Sequence, residues 1–453
     1  MAIHRLRENI KAASNDPDPQ LTNGSRVAVI GGGPAGALFG YFLLAMADRG
    51  GLDLAVDVYE PRDFSKLGQC GCNKCGGIIY GSLMQSLATD GIFLPPSVVQ
   101  QGIANYAFHT EEGAVRIHPP SDEKRIASVR RGGGPCGAAR SLLASFDGFL
   151  LTLAEGRGAR IVRERVTAVA MVEGRPRVTT KSGVSEGYDL LVGALGVNSP
   201  DLGLFKECGT GYIPPATSKT YITEILLGEE TVERCMGDAM HVFLLDIPRL
   251  KFAAIIPKGE YATVCLLGKD LDQGMVDAFF LRPEVLRCFP EGWTPAGVRC
   301  RCFPSVTLGG AKGAFGDRFV MIGDSYVSRL YKDGIGSAYR TAKAAAHTAF
   351  FSGISSRDFD KYYRPECEAI EKDDFLGKIV FNFTSLIKRL PFLRRGVMRM
   401  AEREQEGFSS PRMSTLLWDT FTGNASYRDI LHRAAHPVFL ARLFYETVSG
   451  FMR

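Results

Sequence analysis

The hydrophobic pattern of the chain changes period several times, and each change marks an element. Val27-Ala-Val-Ile30 is a short unbroken apolar run, as expected of a strand buried on both faces. Gly31-Gly-Gly-Pro-Ala-Gly36 interrupts it, and the apolar stretch Ala37–Ala47 then has the length of a buried helix. Leu54-Ala-Val-Asp-Val-Tyr59 is a second strand, closed by Glu60. Residues 90–137 read as short strands and turns ending in a Gly-rich loop. A helix over Ser145–Arg157 and a small β unit to about residue 187 follow. Tyr188-Asp-Leu-Leu-Val-Gly-Ala194 and Arg318-Phe-Val-Met-Ile-Gly-Asp324 have the pattern of strands returning to a parallel sheet. Between them, Lys219–Leu227, His241–Leu245, Lys251–Ile256 and Tyr261–Leu267 suggest a largely antiparallel sheet. A helix is expected from Gly336 into Ala349, and a mainly helical tail from about residue 358.

These patterns predict an α/β fold: a Rossmann-like dinucleotide-binding domain, an antiparallel substrate domain and a helical C-terminal region. The expected division is a polar arm over 1–25, the nucleotide domain over 26–204 and 311–357, the antiparallel sheet over 205–310, and helices over 358–453.

Composition adds limits. A chain of 453 residues with 45% hydrophobic and 23% charged residues can bury a large core. A net charge of +5 is too mild to point to nucleic acid. No apolar run is long enough to cross a membrane, and the first 25 residues lack the apolar core of a secretory signal, so a cytoplasmic location is expected. The 11 cysteines are then expected to be mostly reduced thiols.

The strand–turn–helix–strand–acid sequence carries the strongest chemistry. Gly31, Gly33 and Gly36 form G-x-G-x-x-G, and Glu60 follows Gly36 by 24 residues. Gly31 permits the tight turn, Gly33 lets a pyrophosphate approach the backbone, and Gly36 lets the helix pack on the sheet. The pyrophosphate is expected at the helix N-terminus, whose free N–H groups and dipole favour negative charge. Glu60 would accept hydrogen bonds from a ribose diol.

The order of four signals, G-x-G-x-x-G, Tyr188–Ser199, Gly323-Asp324 and Asp333-Gly-Ile-Gly336, resembles the FAD-binding fold of the hydroxylase and geranylgeranyl-reductase group over about residues 26–350. The resemblance implies FAD as cofactor. It places Gly323 and Asp324 at the ribityl–pyrophosphate region, and Gly334, Ile335 and Gly336 at the flavin's pyrimidine edge, where backbone donors suit the charge of the reduced ring. Pro34, Ala35, Arg62 and Arg131 complete the implied cofactor contacts. Cys75-Gly-Gly and the turn Pro257-Lys-Gly259 resemble segments of geranylgeranyl reductases, which implies that Cys75 is the catalytic thiol. Two positions depart from the pattern. Leu195 replaces an acid common in the hydroxylase branch. Phe252-Ala-Ala-Ile-Ile256 stands where the reductases carry Tyr-x-Trp-x-Phe, giving a more aliphatic pocket wall.

Cys70, Cys72 and Cys75 admit four readings: a thiol beside the flavin, a redox disulfide between Cys70 and Cys75, three ligands of an iron–sulfur or zinc site completed by Cys136 or a more distant cysteine, or small structural residues. A disulfide enzyme of the glutathione-reductase type needs a second G-x-G-x-x-G for NADPH, and none stands between residues 150 and 320. Arg130 and Arg131 could hold FAD phosphates or an anionic substrate, with Arg140 a weaker choice, or could flank a solvated turn. Asp147 reads as a helix-start residue rather than a catalytic acid. His109 and His118 are possible proton donors or simply satisfied histidines. Tyr326, Tyr331 and Lys332 fall near the expected flavin. The basic-apolar stretch Phe375–Met400 could lie on an anionic membrane, as peripheral contact, or cover the substrate lobe with a solvated basic face.

The functional expectation is an FAD-dependent oxidoreductase that reduces or dehydrogenates a carbon–carbon bond of an apolar, isoprenoid- or lipid-like molecule. Its electron donor would be transiently docked NADPH or a reduced carrier protein. The alternatives are a flavin monooxygenase and an FAD electron-transfer protein, with or without an iron–sulfur cluster, at a membrane surface.

Overall fold

The computed structural model describes residues 19–68, 75–121, 125–135, 145–295 and 300–449. The apolar run near the N-terminus is the central strand, Ser25–Ile30, of a six-stranded sheet. It pairs in parallel with Leu54–Tyr59 on one side and Leu190–Gly193 on the other. Arg160–Val162 and Phe319–Met321 extend the parallel set outward, and the short antiparallel strand Phe315–Gly316 forms one edge. Helices Pro34–Gly50, Phe146–Gly156 and Gly334–His347 pack beside one another. Ile30 is in register with both Tyr59 and Gly193, so the residues that follow all three strands emerge at one sheet end. That crevice at the carboxyl ends is where open parallel sheets bind ligands.

A second, seven-stranded sheet runs in the order Cys300–Cys302, Tyr221–Leu226, Tyr261–Gly268, Leu250–Lys258, Ala239–Phe243, Asn105–Thr110 and Gly113–Ile117. All pairs are antiparallel except Ala239–Phe243 with Asn105–Thr110. Two of its strands thus come from residues 105–117, a stretch that sequence reading placed with the nucleotide domain. The parallel pair joins residues more than 130 apart in sequence (His109 to Phe243), and local patterning carries no record of such a partner. Alternation along Leu250–Lys258 decides how the sheet is covered. Phe252, Ala254 and Ile256 face the main core, while Ala253 and Ile255 face a second core with helices Glu229–Met236 and Gln273–Phe280.

The tail forms helices Arg364–Arg389, Pro391–Gln405, Arg412–Thr422, Tyr427–Ala434 and Pro437–Val448. The basic-apolar stretch lies on the second sheet. Phe381 stacks on Phe252 with centroids 5.6 Å apart, and Lys388 Nζ donates to the carbonyls of Ile247 (2.9 Å) and Leu250 (2.5 Å). Phe375, Phe383 and Leu386 on the same helix remain exposed. Among the described residues, no helix is long and apolar enough to cross a membrane.

Candidate functional site

Gly31, Gly33, Pro34, Ala35, Glu60, Arg62, Arg131, Ala194, Leu195 and Asp324 line a cavity of about 430 Å³ at the carboxyl end of the parallel sheet. Backbone geometry makes it. Gly31 has φ +110°, and a Cβ there would stand 2.6 Å from the Ala194 carbonyl oxygen. A Cβ on Gly36 would lie 1.9 Å from the Gly31 oxygen, so turn and helix approach only because both residues lack one. Gly33 is the reverse case: a Cβ there meets nothing nearer than Arg131 Nη2 at 4.0 Å, and it faces open space. Pro34 occupies the first turn of its helix, where its missing N–H costs nothing.

Glu60 is buried at the cavity edge. Its Oε2 accepts from the Gly32 amide at 3.0 Å and from Arg62 Nη2 at 3.1 Å. Its Oε1 accepts from the Arg62 amide and Nε, both at 3.0 Å. Arg62 therefore fills this carboxylate with two side-chain donors.

A second cavity of about 210 Å³ adjoins the first, and Arg131, Asn198, Asp324, Gly334 and Ile335 line both. Its walls are apolar on the sheet side, with Ile78, Met240, Phe252, Ala254, Ile256 and Phe421. Cys75, Tyr80, Ser328, Arg329, Tyr331, Lys332 and Asp333 bring polar groups to its lining.

The junction carries the electrostatics. Arg131 donates twice to the fully buried Asp147, Nε to Oδ1 at 2.8 Å and Nη2 to Oδ2 at 2.9 Å. Burial opposes its charge, but Asp147 and the adjacent Cys75 thiol outweigh burial and hold the guanidinium above its ordinary value. Cys75 Sγ also accepts from the Gly77 amide at 3.4 Å. Burial pushes the Asp324 carboxyl up, against a hydrogen bond from Ser328. Its Oδ1 is buried with no hydrogen-bond partner among the described residues.

The loop before helix Gly334–His347 is clamped from three directions. Asp333, at φ +62°, caps the helix by accepting from the Gly336 amide at 2.9 Å, and it also accepts from Tyr80 Oη at 2.7 Å. Arg329 donates to the Gly423 carbonyl and to Asp373, and Asp374 accepts from the Leu330 amide at 2.8 Å. Lys332 Nζ donates to the carbonyls of Asp419 and Thr420, both at 2.9 Å, and lies over the Tyr427 ring. Burial first, and Arg329 second, push its ammonium well below the ordinary lysine value.

The structure brings most of the sequence-predicted residues together, with some changes of role. Gly334 and Ile335 line both cavities, whereas the Gly336 amide is taken by the Asp333 cap. Gly323 does not line either cavity. At φ +63° it turns the chain so that Asp324 does. Arg130 points elsewhere, with Nη1 on the Gly133 carbonyl and Nε on Tyr261 Oη. Asp147 does open a helix, as expected, and is also the counter-ion of Arg131. Tyr331 and Lys332 reach the second cavity, Tyr326 does not, and His109 and His118 lie in or beside the outer strands of the second sheet. Cys70, Cys72, Cys136 and Arg140 lie outside the described residues. Sequence reading missed Tyr80, Arg329, Asp373 and Asp374, for which no local motif exists. It also missed that the C-terminal helix Arg412–Thr422 lines the second cavity with Phe421 and Thr422.

Several solved structures share this arrangement. A geranylgeranyl bacteriochlorophyll reductase-like protein from Thermoplasma acidophilum superposes with a TM-score of 0.62 at 15% identity, over 94% of this chain and 100% of that one. The chain has the fold of the FAD-dependent oxidoreductases. A mutant of the halogenase PltM in complex with FAD gives 0.59 at 14% identity, over 91% and 86% of the two chains. A flavoprotein/dehydrogenase from Cytophaga hutchinsonii gives 0.57 at 14% identity, over 94% and 99%. No family profile and no curated relative matches the sequence. Within this flavoprotein fold the reductase-like and halogenase structures are nearly equidistant, so the likeness reaches the fold and stops short of the reaction.

Proposed function

We propose that the chain binds FAD across the two cavities and uses it to reduce or dehydrogenate a carbon–carbon bond of an apolar, isoprenoid- or lipid-like molecule. The observation that carries this reading is the junction: the glycine-lined cavity adjoins, through Arg131, Asp324, Gly334 and Ile335, a second cavity lined in part by Ile78, Met240, Phe252, Ala254, Ile256 and Phe421. The residues fit the cofactor. The open face of Gly33 and the start of helix Pro34–Gly50 suit a pyrophosphate. Pro34 and Ala35 hold that helix start against the cradle. Arg62 now sits on Glu60 with two donors, as a ribose diol would, and its partly exposed side chain can give way. The unpartnered oxygen of Asp324 needs a donor, which a ribityl hydroxyl provides.

When bound, FAD supplies hydride exchange at its ring. The protein's residues do the rest. The first amides of helix Gly334–His347 offer N–H donors to negative charge at the junction. Phe252, Ala254, Ile256 and Phe421 exclude water and select an apolar substrate. Cys75, held against the Arg131 guanidinium, is placed to give or take the proton that accompanies hydride transfer. The electron donor is NADPH docking transiently or a reduced carrier protein.

The test is anaerobic stopped-flow reoxidation of the chemically reduced holoprotein with short polyprenyl alkenes. Reoxidation with loss of the double bond supports the reading. Reoxidation only by dioxygen, with an oxygenated or halogenated product, would replace it with the monooxygenase-type alternative.

A further inference from the structure

Away from the cavities, the second sheet buries three metal-ligating side chains together. His109 and His241 stand on the one parallel pair of strands, two register positions apart and on the same face. Cys288 follows the short helix Pro283–Leu286 and closes over them. His109 Nε2 lies 2.9 Å from His241 Nδ1, Cys288 Sγ lies 3.2 Å from the same nitrogen, and the three ligand atoms fall within 4.8 Å of one another. All three residues are at least nine-tenths buried.

Hydrogen bonding alone serves this cluster poorly. A neutral imidazole nitrogen has one lone pair, yet both His109 and Cys288 converge on His241 Nδ1. A cation among the three would use one lone pair from each. We propose that His109, His241 and Cys288 form a buried transition-metal site of zinc type, separate from the flavin cavities and serving to pin the outer strands of the second sheet to the helices over them. The donor set of two imidazoles and one thiolate is the borderline-soft set that zinc favours. Tetrahedral zinc with ordinary bond lengths separates its ligand atoms by about 3.3–3.7 Å, so the two contacts on His241 Nδ1 need to widen by only a few tenths of an ångström. Zinc would displace the proton of the Cys288 thiol, which burial otherwise holds on. The fourth position is left for water.

The test is metal analysis and zinc X-ray absorption on the full-length flavin-containing protein expressed with added zinc. The expected result is about one zinc per chain with two nitrogens and one sulfur in its first shell. Cys288→Ala and His109→Gln should each lower zinc content at least tenfold, while Cys75→Ala should leave it unchanged. Flavin content and far-UV circular dichroism identify any variant that has not folded, and the wild-type shell decides without variants. Absence of zinc from the wild type, a sulfur-only shell, or zinc lost with Cys75→Ala and kept in Cys288→Ala would overturn the site.

Discussion

The two cavities touch, but they are made in opposite ways. The first cavity is built around backbone: a turn of glycines and a helix start within residues 30–62, joined by the segments that follow neighbouring strands at 194–201 and by Asp324 and Gly334. The chamber is side chains gathered from Cys75, Tyr80, the second sheet, the Ser328–Asp333 loop and the C-terminal helix at Phe421. Binding a pyrophosphate needs donors and close approach, which a short motif can encode. Choosing an apolar substrate needs shape, and shape is contributed by whatever the fold brings near. A cradle of this kind can stay constant while the chamber changes the reaction, which accounts for one fold hosting reductase-like and halogenase chains.

The sharpest break of that contrast compares two glycines of one motif. Gly36→Val places a branched side chain where even a Cβ would lie 1.9 Å from a backbone oxygen, so helix and turn must separate. Loss of soluble folded protein and of flavin is expected, read by solubility and bound-flavin absorbance. The Cβ of Gly33→Val would meet no protein atom nearer than 4.0 Å, so this variant should fold, yet it fills the space proposed for the pyrophosphate. FAD affinity should fall at least tenfold with the melting temperature of the flavin-free protein little changed. Equal damage from both substitutions would remove the reason for assigning the cofactor to this face.

The same contrast governs what the sequence made legible. The parallel strands and the glycine turn followed from short apolar runs and from spacing within some thirty residues. Phe252-Ala-Ala-Ile-Ile256 was read as an aliphatic pocket wall from its place opposite the reductases' Tyr-x-Trp-x-Phe strand, and Phe252, Ala254 and Ile256 line the second cavity. Strands 105–117 were misplaced because their partner is remote. Tyr80 could not be found at all: its significance is a hydrogen bond to Asp333, 253 residues away. Arg131 was noticed, but as a ligand for phosphate. Its pairing with Asp147 depends on how a loop folds back against a helix start.

Arg131 belongs to both cavities, so it offers the next largest effect. Asp147→Asn leaves a buried guanidinium without its counter-charge, and about 3–5 kcal/mol of stability should be lost, measured by urea denaturation. The double variant Arg131→Met with Asp147→Leu should recover most of that loss, since apolar replacement of a buried pair is often neutral. If the junction matters chemically, flavin affinity or turnover should stay depressed in the stable double variant. Full recovery of both would make the pair purely structural.

Asp374 tests the clamp that the C-terminal helices place on the chamber loop. Burial raises its carboxyl to about 7, while one oxygen holds the Leu330 amide. A raised folded-state value means that the folded protein binds this proton more tightly than the unfolded chain. Its contribution is fully present below about pH 4 and lost as pH rises through about 7. Asp374→Asn keeps an acceptor for Leu330 and removes the ionisation. Its stability advantage over wild type should grow by about 2–3 kcal/mol between pH 5 and pH 8. A constant difference across that range would show that Asp374 is ionised in both states.

The smallest effect is expected where the chamber is tuned rather than built. Tyr80→Phe removes one hydroxyl from Asp333, which keeps its cap on Gly336 and its ion pair with Arg329 at 3.5 Å. Because those partners remain, the stability cost should be about 1 kcal/mol, and the ring still fills its place against Gly423. Tyr80 nevertheless fixes the carboxylate that sets the angle of the helix start at the junction. The variant should therefore change the flavin's reduction potential or spectrum more than its affinity, because the cradle is untouched. A change in FAD affinity as large as that from Gly33→Val, with the spectrum unmoved, would mean that cradle and chamber are not separable, and the contrast between backbone recognition and side-chain chemistry would fail at its junction.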